Sequence, residues 1–201
     1  MWTKFRKKKQ LNKVTYADIL RPSERVDARK YDIGLIVGGS LFVALCAQIS
    51  FHIPFNPVPI TGQTLGVLLV GVLLGSNRGA LAILTYLAEG SAGLPFFAGG
   101  SSGFPYMIGP TGGYLLGFVL AAFIVGKLAE IGWDKRVITV IPVMVLGTIV
   151  IFAAGLLWLT KFVGSANVLA MGFYPFVPGA LLKISIATIL LPAGWKFMGR
   201  K

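Results

Sequence analysis

Lys183 stands in the apolar run Phe176-Val-Pro-Gly-Ala-Leu-Leu-Lys-Ile-Ser-Ile-Ala-Thr-Ile-Leu-Leu191. An ammonium at that depth of a bilayer costs roughly 3 kcal/mol on insertion scales, so a cation kept there faces a partner, a cavity or a ligand. Pro178-Gly179-Ala180 open the segment, and helical spacing puts Gly179 and Ala180 on the side of Lys183, leaving room above the ammonium. Two chemistries fit. One is a buried ion pair with Glu89, the single carboxylate expected away from the basic face. The other is an anchor for a ligand carboxylate, matched by neutral hydrogen-bonding groups at the ligand's far end.

Such neutral groups occur in two further stretches. Pro54-Phe-Asn-Pro-Val-Pro-Ile-Thr-Gly-Gln-Thr64 combines three prolines, which stiffen a loop, with Asn56, Thr61, Gln63 and Thr64 as donors and acceptors. From Gly93 to Tyr114 the chain is rich in glycine and aromatic residues and carries no charge; it includes Gly99, Gly100, Ser101 and Thr111. Its glycines permit positive φ and close backbone approach, so it can offer bare amides to a small molecule while aromatic rings cover the apolar part. Without a basic residue it is not expected to cradle a phosphate.

The elements that must position these groups are membrane helices. Of the 201 residues 55% are apolar and 13% charged, against about a quarter charged in ordinary soluble domains. Apolar segments at about 33–53, 58–75, 79–94, 111–126, 137–159 and 177–195 predict an all-α chain of six transmembrane helices, several of them near the ~20 residues a span requires. The third and fourth are interrupted by Gly and Pro, which membranes tolerate where neighbouring protein or a cavity satisfies the freed backbone. Residues 1–32 are then a basic N-terminal extension, 33–195 the membrane domain and 196–201 a short basic tail.

An even number of spans puts both termini on one side, and the charges test this independently. Seventeen of the nineteen Lys and Arg fall on that side: ten in residues 1–30, then Arg78, Lys127, Lys135, Arg136, Lys196, Arg200 and Lys201. The positive-inside bias therefore makes both termini cytoplasmic, in the cell membrane, with the ligand site near the outer face. Lys161, at the outer end of the fifth segment, can snorkel to the headgroups. The polybasic N-terminus suits anionic membrane lipids; with no separate basic domain, nucleic acid is not an expected partner. No small-residue cleavage site follows a short apolar stretch there, so a removable signal peptide is not expected.

Much chemistry is excluded. One His (His52), one Cys (Cys46) and the isolated Glu89 form no metal cage and no catalytic pair, so neither metal, cofactor nor catalytic residue is expected. The chain carries no G-x-x-x-x-G-K-[ST] motif, so active transport would draw on another subunit's ATP site. Small residues in the first segment, Gly34/Gly38 and Ser40/Ala44, make a smooth face for close helix packing, either internally or against a partner subunit.

These stretches resemble the BioY family, the biotin-specific substrate-binding subunits of energy-coupling-factor transporters. The resemblance covers about residues 33–195 and rests on Val58-Pro-Ile-Thr-Gly-Gln-Thr64, Leu74-Gly-Ser-Asn-Arg-Gly-Ala80, Gly93-Leu-Pro-Phe-Phe-Ala-Gly-Gly100, Gly109-Pro-Thr-Gly-Gly-Tyr-Leu-Leu-Gly-Phe118 and Pro175-Phe-Val-Pro-Gly-Ala-Leu-Leu-Lys183. It implies six helices, a site near the outer face roofed by the first loop, biotin as ligand, and an energising module of one transmembrane coupling subunit and two ABC-type ATPases. The first segment's small face would meet the coupling subunit. By resemblance Lys183 belongs to a Pro-Gly-Asp-x-x-Lys pattern, but Ala180 stands at the aspartate position. Glu89 or Asn167 is the expected replacement acceptor. The full expected ligand set is Lys183, Thr61, Gln63, Tyr86, Glu89, Gly99, Gly100, Ser101, Thr111, Tyr114 and Asn167. The N-terminal extension is a second departure from the family. A subunit of similar fold for another vitamin or a biotin precursor, a membrane enzyme using His52 and a structural scaffold with Lys183 paired to Glu89 are the alternatives.

Overall fold

The structure, a computed structural model, describes residues 15–198. The polybasic stretch before Thr15 and the last three residues lie outside it, and with them most of the charge expected to contact lipid. Within it the chain is mostly helical: α1 (Tyr16–Ile19), α2 (Arg25–Gln48), α3 (Gln63–Leu74), α4 (Ser76–Ser91), α5 (Phe104–Ile108), α6 (Gly112–Glu130), α7 (Val137–Gly172) and α8 (Val177–Phe197). It departs from a purely helical chain in one antiparallel ribbon, β1 (Ser50–Phe51) with β2 (Ile60–Thr61), which pairs Ser50 with Thr61 and Phe51 with Ile60. The ribbon takes up the end of the first apolar segment and the start of the second. α3 is consequently 12 residues long, about 18 Å.

Three helical stretches are long and apolar enough to cross a membrane: Arg25–Gln48, Gly112–Glu130 and the α7–α8 stretch Val137–Phe197. Of these α6 is the most buried, because it packs against α3, α4 and α7. Glycine makes that packing close. A Cβ on Gly71 would lie 2.6 Å from the Ala122 carbonyl oxygen, and one on Gly126 2.5 Å from the Ser76 nitrogen, so α3 and α4 meet α6 backbone to backbone. α3 and α4 are separated only by Gly75, whose φ of 84° turns the chain sharply between them. Within α7, Gly164 at φ 76° and ψ 164° breaks the helix into two pieces.

The end of the bundle that carries the basic loops is tied by polar contacts. Arg78, at the start of α4, pairs with Asp18 of α1 and, at 3.1 Å, with Asp32 of α2. Asp18 Oδ2 also accepts from the Thr15 backbone N–H at 3.1 Å, part of a capping box on α1, and from the Thr15 hydroxyl at 2.8 Å. Tyr16 donates to the Leu191 carbonyl of α8 and lies 4.5 Å, centroid to centroid, from the Trp195 ring. Trp195 Nε1 donates at 2.7 Å to Oδ2 of Asp134, which is 1% exposed and follows α6. The last turn of α8 is thus clasped between α1 and the α6–α7 connection.

Asp134 Oδ1 has no hydrogen-bond partner among the described residues, and burial pushes the carboxyl up to about 6. A carboxyl whose pKa is higher in the folded than in the unfolded chain favours folding when protonated; that contribution is present at low pH and lost as pH rises through about 6. Asp134→Asn, which stays neutral, should therefore gain thermal stability relative to the parent chain between pH 5 and pH 8. Unfolding curves in detergent at the two pH values check this, and an unchanged difference would refute it.

Candidate functional site

The ammonium of Lys183 reaches from the second turn of α8 to the neighbouring start of α3. Nζ donates to the Thr61 carbonyl oxygen at 2.6 Å and to Thr64 Oγ1 at 2.8 Å. Thr61 ends β2 and Thr64 lies in the first turn of α3, so the ribbon and the helix start converge on the lysine. Around it is a partly enclosed cavity. Its polar lining is Thr61, Gln63, Thr64, Tyr106, Thr111, Tyr114, Thr148 and Lys183, and its apolar wall includes Leu68, Phe118, Ile151, Phe152 and Phe176. Lys183 is the one charged group in this lining, and Ala180 lies beside it.

Each wall is held by a local device. Asn56 in the prolyl loop between β1 and β2 donates at 2.8 Å to the Met171 carbonyl at the end of α7, while its own carbonyl accepts from Val58 N–H at 2.9 Å. That loop is therefore pinned across the bundle. Tyr114 donates at 2.8 Å to the Gly172 carbonyl, and its ring sits where Gly155 has no side chain; a Cβ there would be 2.3 Å from the ring. Phe152 and Phe176 meet at 6.4 Å and Tyr114 and Phe176 at 6.3 Å, forming an aromatic wall. An apolar, aromatic cavity with a few converging polar groups is the form taken by small-molecule sites.

Of the expected ligand set, Lys183, Thr61, Gln63, Thr111 and Tyr114 come together on this lining. Tyr86 does not: it is fully buried behind Gln63, whose Nε2 donates to the phenol oxygen. Glu89 is held elsewhere, accepting the Ser40 hydroxyl proton, and forms no ion pair with Lys183. Asn167 is exposed and bonds back to the Val163 carbonyl at 3.3 Å. Neither of these two residues reaches the cavity as the replacement acceptor. Gly99, Gly100 and Ser101 also lie off it: a Cβ on Gly99 would be 3.1 Å from Ser50 Oγ, and Ser101 accepts from Phe97 N–H at 2.9 Å. The glycine-rich stretch turns tightly against the β1 strand at Gly99, and from Gly93 to Tyr114 its residues on the cavity lining are Tyr106, Thr111 and Tyr114.

The small-residue face of α2 divides in two. Ser40 and Ala44 are buried within the chain, Ser40 by its bond to Glu89, and cannot meet a partner subunit. Gly34 and Gly38 are exposed, with nothing within 4 Å of an added Cβ. The sequence reading missed Tyr106, Thr148, Phe152 and Phe176. Thr148 had a usable signal, since it is the one hydroxyl between Val143 and Leu157 and shares a helix face with Ile151 and Phe152.

Apolar helices and a partly enclosed cavity bearing one cation are the features of a small multi-pass membrane protein with a candidate ligand cavity among its own helices. The chain belongs to the BioY family, whose model matches residues 20–200. It is 35% identical over 159 residues to the biotin transporter BioY of Rhizobium etli, covering 75% of this chain and 85% of that protein. It is 37% identical to the biotin transporter BioY of Thermotoga maritima, over 77% of this chain and 92% of the relative. In structure it resembles the S-component for biotin from an ECF-type ABC transporter, with a TM-score of 0.74, 24% identity, and coverage of 87% of this chain and 95% of that one. At that identity the likeness speaks for the fold.

The tight fit of Tyr114 into the space at Gly155 gives a direct test of how the wall is built. Gly155→Ala should displace the ring from the Gly172 carbonyl and cost about 1–3 kcal/mol, as overpacking does. The loss would appear as a lowered unfolding temperature in detergent; an unchanged value would show that α6 and α7 separate freely there.

Proposed function

We propose that this chain is the substrate-binding membrane subunit of a biotin uptake system, energised by a separate ATPase module. The observation that carries the reading is the Lys183 ammonium on the wall of an apolar cavity, held by two neutral oxygens and facing no lining carboxylate among the described residues. A half-buried cation in such surroundings is left without a counter-charge until a ligand brings one. Biotin supplies that charge in its valerate carboxylate. Its thiophane ring suits the wall of Phe118, Phe152 and Phe176, and its ureido group needs the donors and acceptors that Gln63, Thr111 and Thr148 offer.

The finer topology belongs to the same proposal. Six helices cross the membrane, with α3 and α4 short and compensated by the loops that flank them. The positive-inside bias of 17 basic residues supports cytoplasmic termini, and the cavity, at the end of the bundle away from the basic loops, is then near the outer face. The exposed Gly34 and Gly38 of α2 are left to meet the transmembrane coupling subunit of an energy-coupling-factor module, which pairs it with two ABC-type ATPases.

Ala180 favours a second reading, a subunit of the same fold for another vitamin or a biotin precursor. Isothermal titration of the purified chain with biotin, desthiobiotin, thiamine and riboflavin separates the two, and biotin should bind tightest. Lys183→Met should weaken biotin by at least about 30-fold, the lower range for breaking a buried charge pair, while changing biotinamide far less. Equal losses for both ligands would refute the carboxylate anchor. Glu89→Gln and Asn167→Ala should stay within about twofold of the parent affinity, since neither residue lies on the cavity wall.

A further inference from the structure

Tyr86 is 0% exposed and absent from the cavity wall, yet it bonds one residue of that wall and reaches a second through one intervening ring. Its phenol oxygen accepts a hydrogen bond from Gln63 Nε2. Gln63 Oε1 in turn accepts from the Thr61 hydroxyl at 2.9 Å, and the Thr61 carbonyl receives Lys183 Nζ at 2.6 Å. On its other side the Tyr86 ring meets Phe97 edge to face, with centroids 5.7 Å apart, and Phe97 stacks on Tyr106 at 5.0 Å with 17° between the rings. Phe97 is 0% exposed and occupies the space at Gly90, where a Cβ would come within 2.4 Å of it.

We infer that Tyr86 is a positioning residue for the cavity: its hydroxyl fixes the Gln63 amide and its ring, through Phe97, fixes Tyr106. A free glutamine loses rotamer entropy when it is ordered, so an amide already held at both ends costs a ligand less to engage. With one N–H given to Tyr86 and one carbonyl lone pair given to Thr61, Gln63 keeps one donor and one acceptor in a fixed plane for the ligand. Tyr86 sets that plane without touching the ligand. The inference rests on the proposed reading of the cavity as the biotin site.

The test is a double-mutant cycle on the purified full chain, read by isothermal titration with biotin. Tyr86→Phe keeps the ring and removes the oxygen. It should lower biotin affinity about fivefold to tenfold in the parent chain, the order of a lost buried hydrogen bond, and less than twofold in a Gln63→Ala background. A purely structural role would give equal losses in both backgrounds, and that result, or no loss in the parent chain, overturns the inference. Phe97→Leu decides the second arm and still does so if Tyr86→Phe does not fold: its loss should fall below twofold in a Tyr106→Ala background, because it acts through Tyr106. Equal losses in the parent and Tyr106→Ala backgrounds overturn that arm. A parent chain that binds no biotin but binds another vitamin overturns the reading of the ligand instead, and the same cycle run with that vitamin then decides the role of Tyr86.

Discussion

The contact between the Lys183 ammonium and the Thr61 carbonyl and Thr64 hydroxyl is the constraint on which the rest of the structure depends. A charge inside an apolar bundle is tolerated only if enough oxygen is brought to it. Here that oxygen comes from a different part of the chain, more than a hundred residues earlier, at the point where β2 gives way to α3. The early breakdown of the second apolar segment into ribbon and short helix is what frees a carbonyl for the lysine, since the same residues in a continuous helix would have used it within the helix. The lysine on α8 thereby joins the last span to the first connection.

Close packing around α6 provides the frame for this contact. Where α3 and α4 lie against α6 at glycine, the backbones approach too closely for side chains, and the bulky groups are displaced toward the cavity end, where Tyr114, Phe118 and Phe152 gather. Glycines at the α6–α7 crossing serve the aromatic wall in the same way, by leaving space that a tyrosine ring fills. At the other end, Arg78, Tyr16 and Asp134 tie the helix termini together. The bundle is held by close backbone contact of α6 with α3 and α4 and by polar clasps at the end remote from the cavity.

Much of this was legible in the sequence, for identifiable reasons. Lys183 stood out because bilayers penalise isolated charge, and Thr61, Gln63, Thr111 and Tyr114 stood out because polar groups near prolines and glycines mark connections that line cavities. Glu89 and Asn167 misled because segment-level topology fixes depth but not the direction a side chain faces. Glu89 turns toward α2 and meets Ser40; Asn167 lies beyond the Gly164 break, on the outer surface of α7. Phe97 could not be distinguished from the other aromatic residues of its stretch, because its place in a buried column depends on the empty space at Gly90, a residue in another helix. Tyr106 was hidden for the same reason.

The tether from Asn56 to the end of α7 has an entropic consequence. With three prolines and a bond to another element, the β1–β2 loop, whose Val58 and Pro59 line the cavity, has little disorder left to lose. A wall ordered in advance leaves more of any contact energy for affinity, because less of it is spent on fixing the chain.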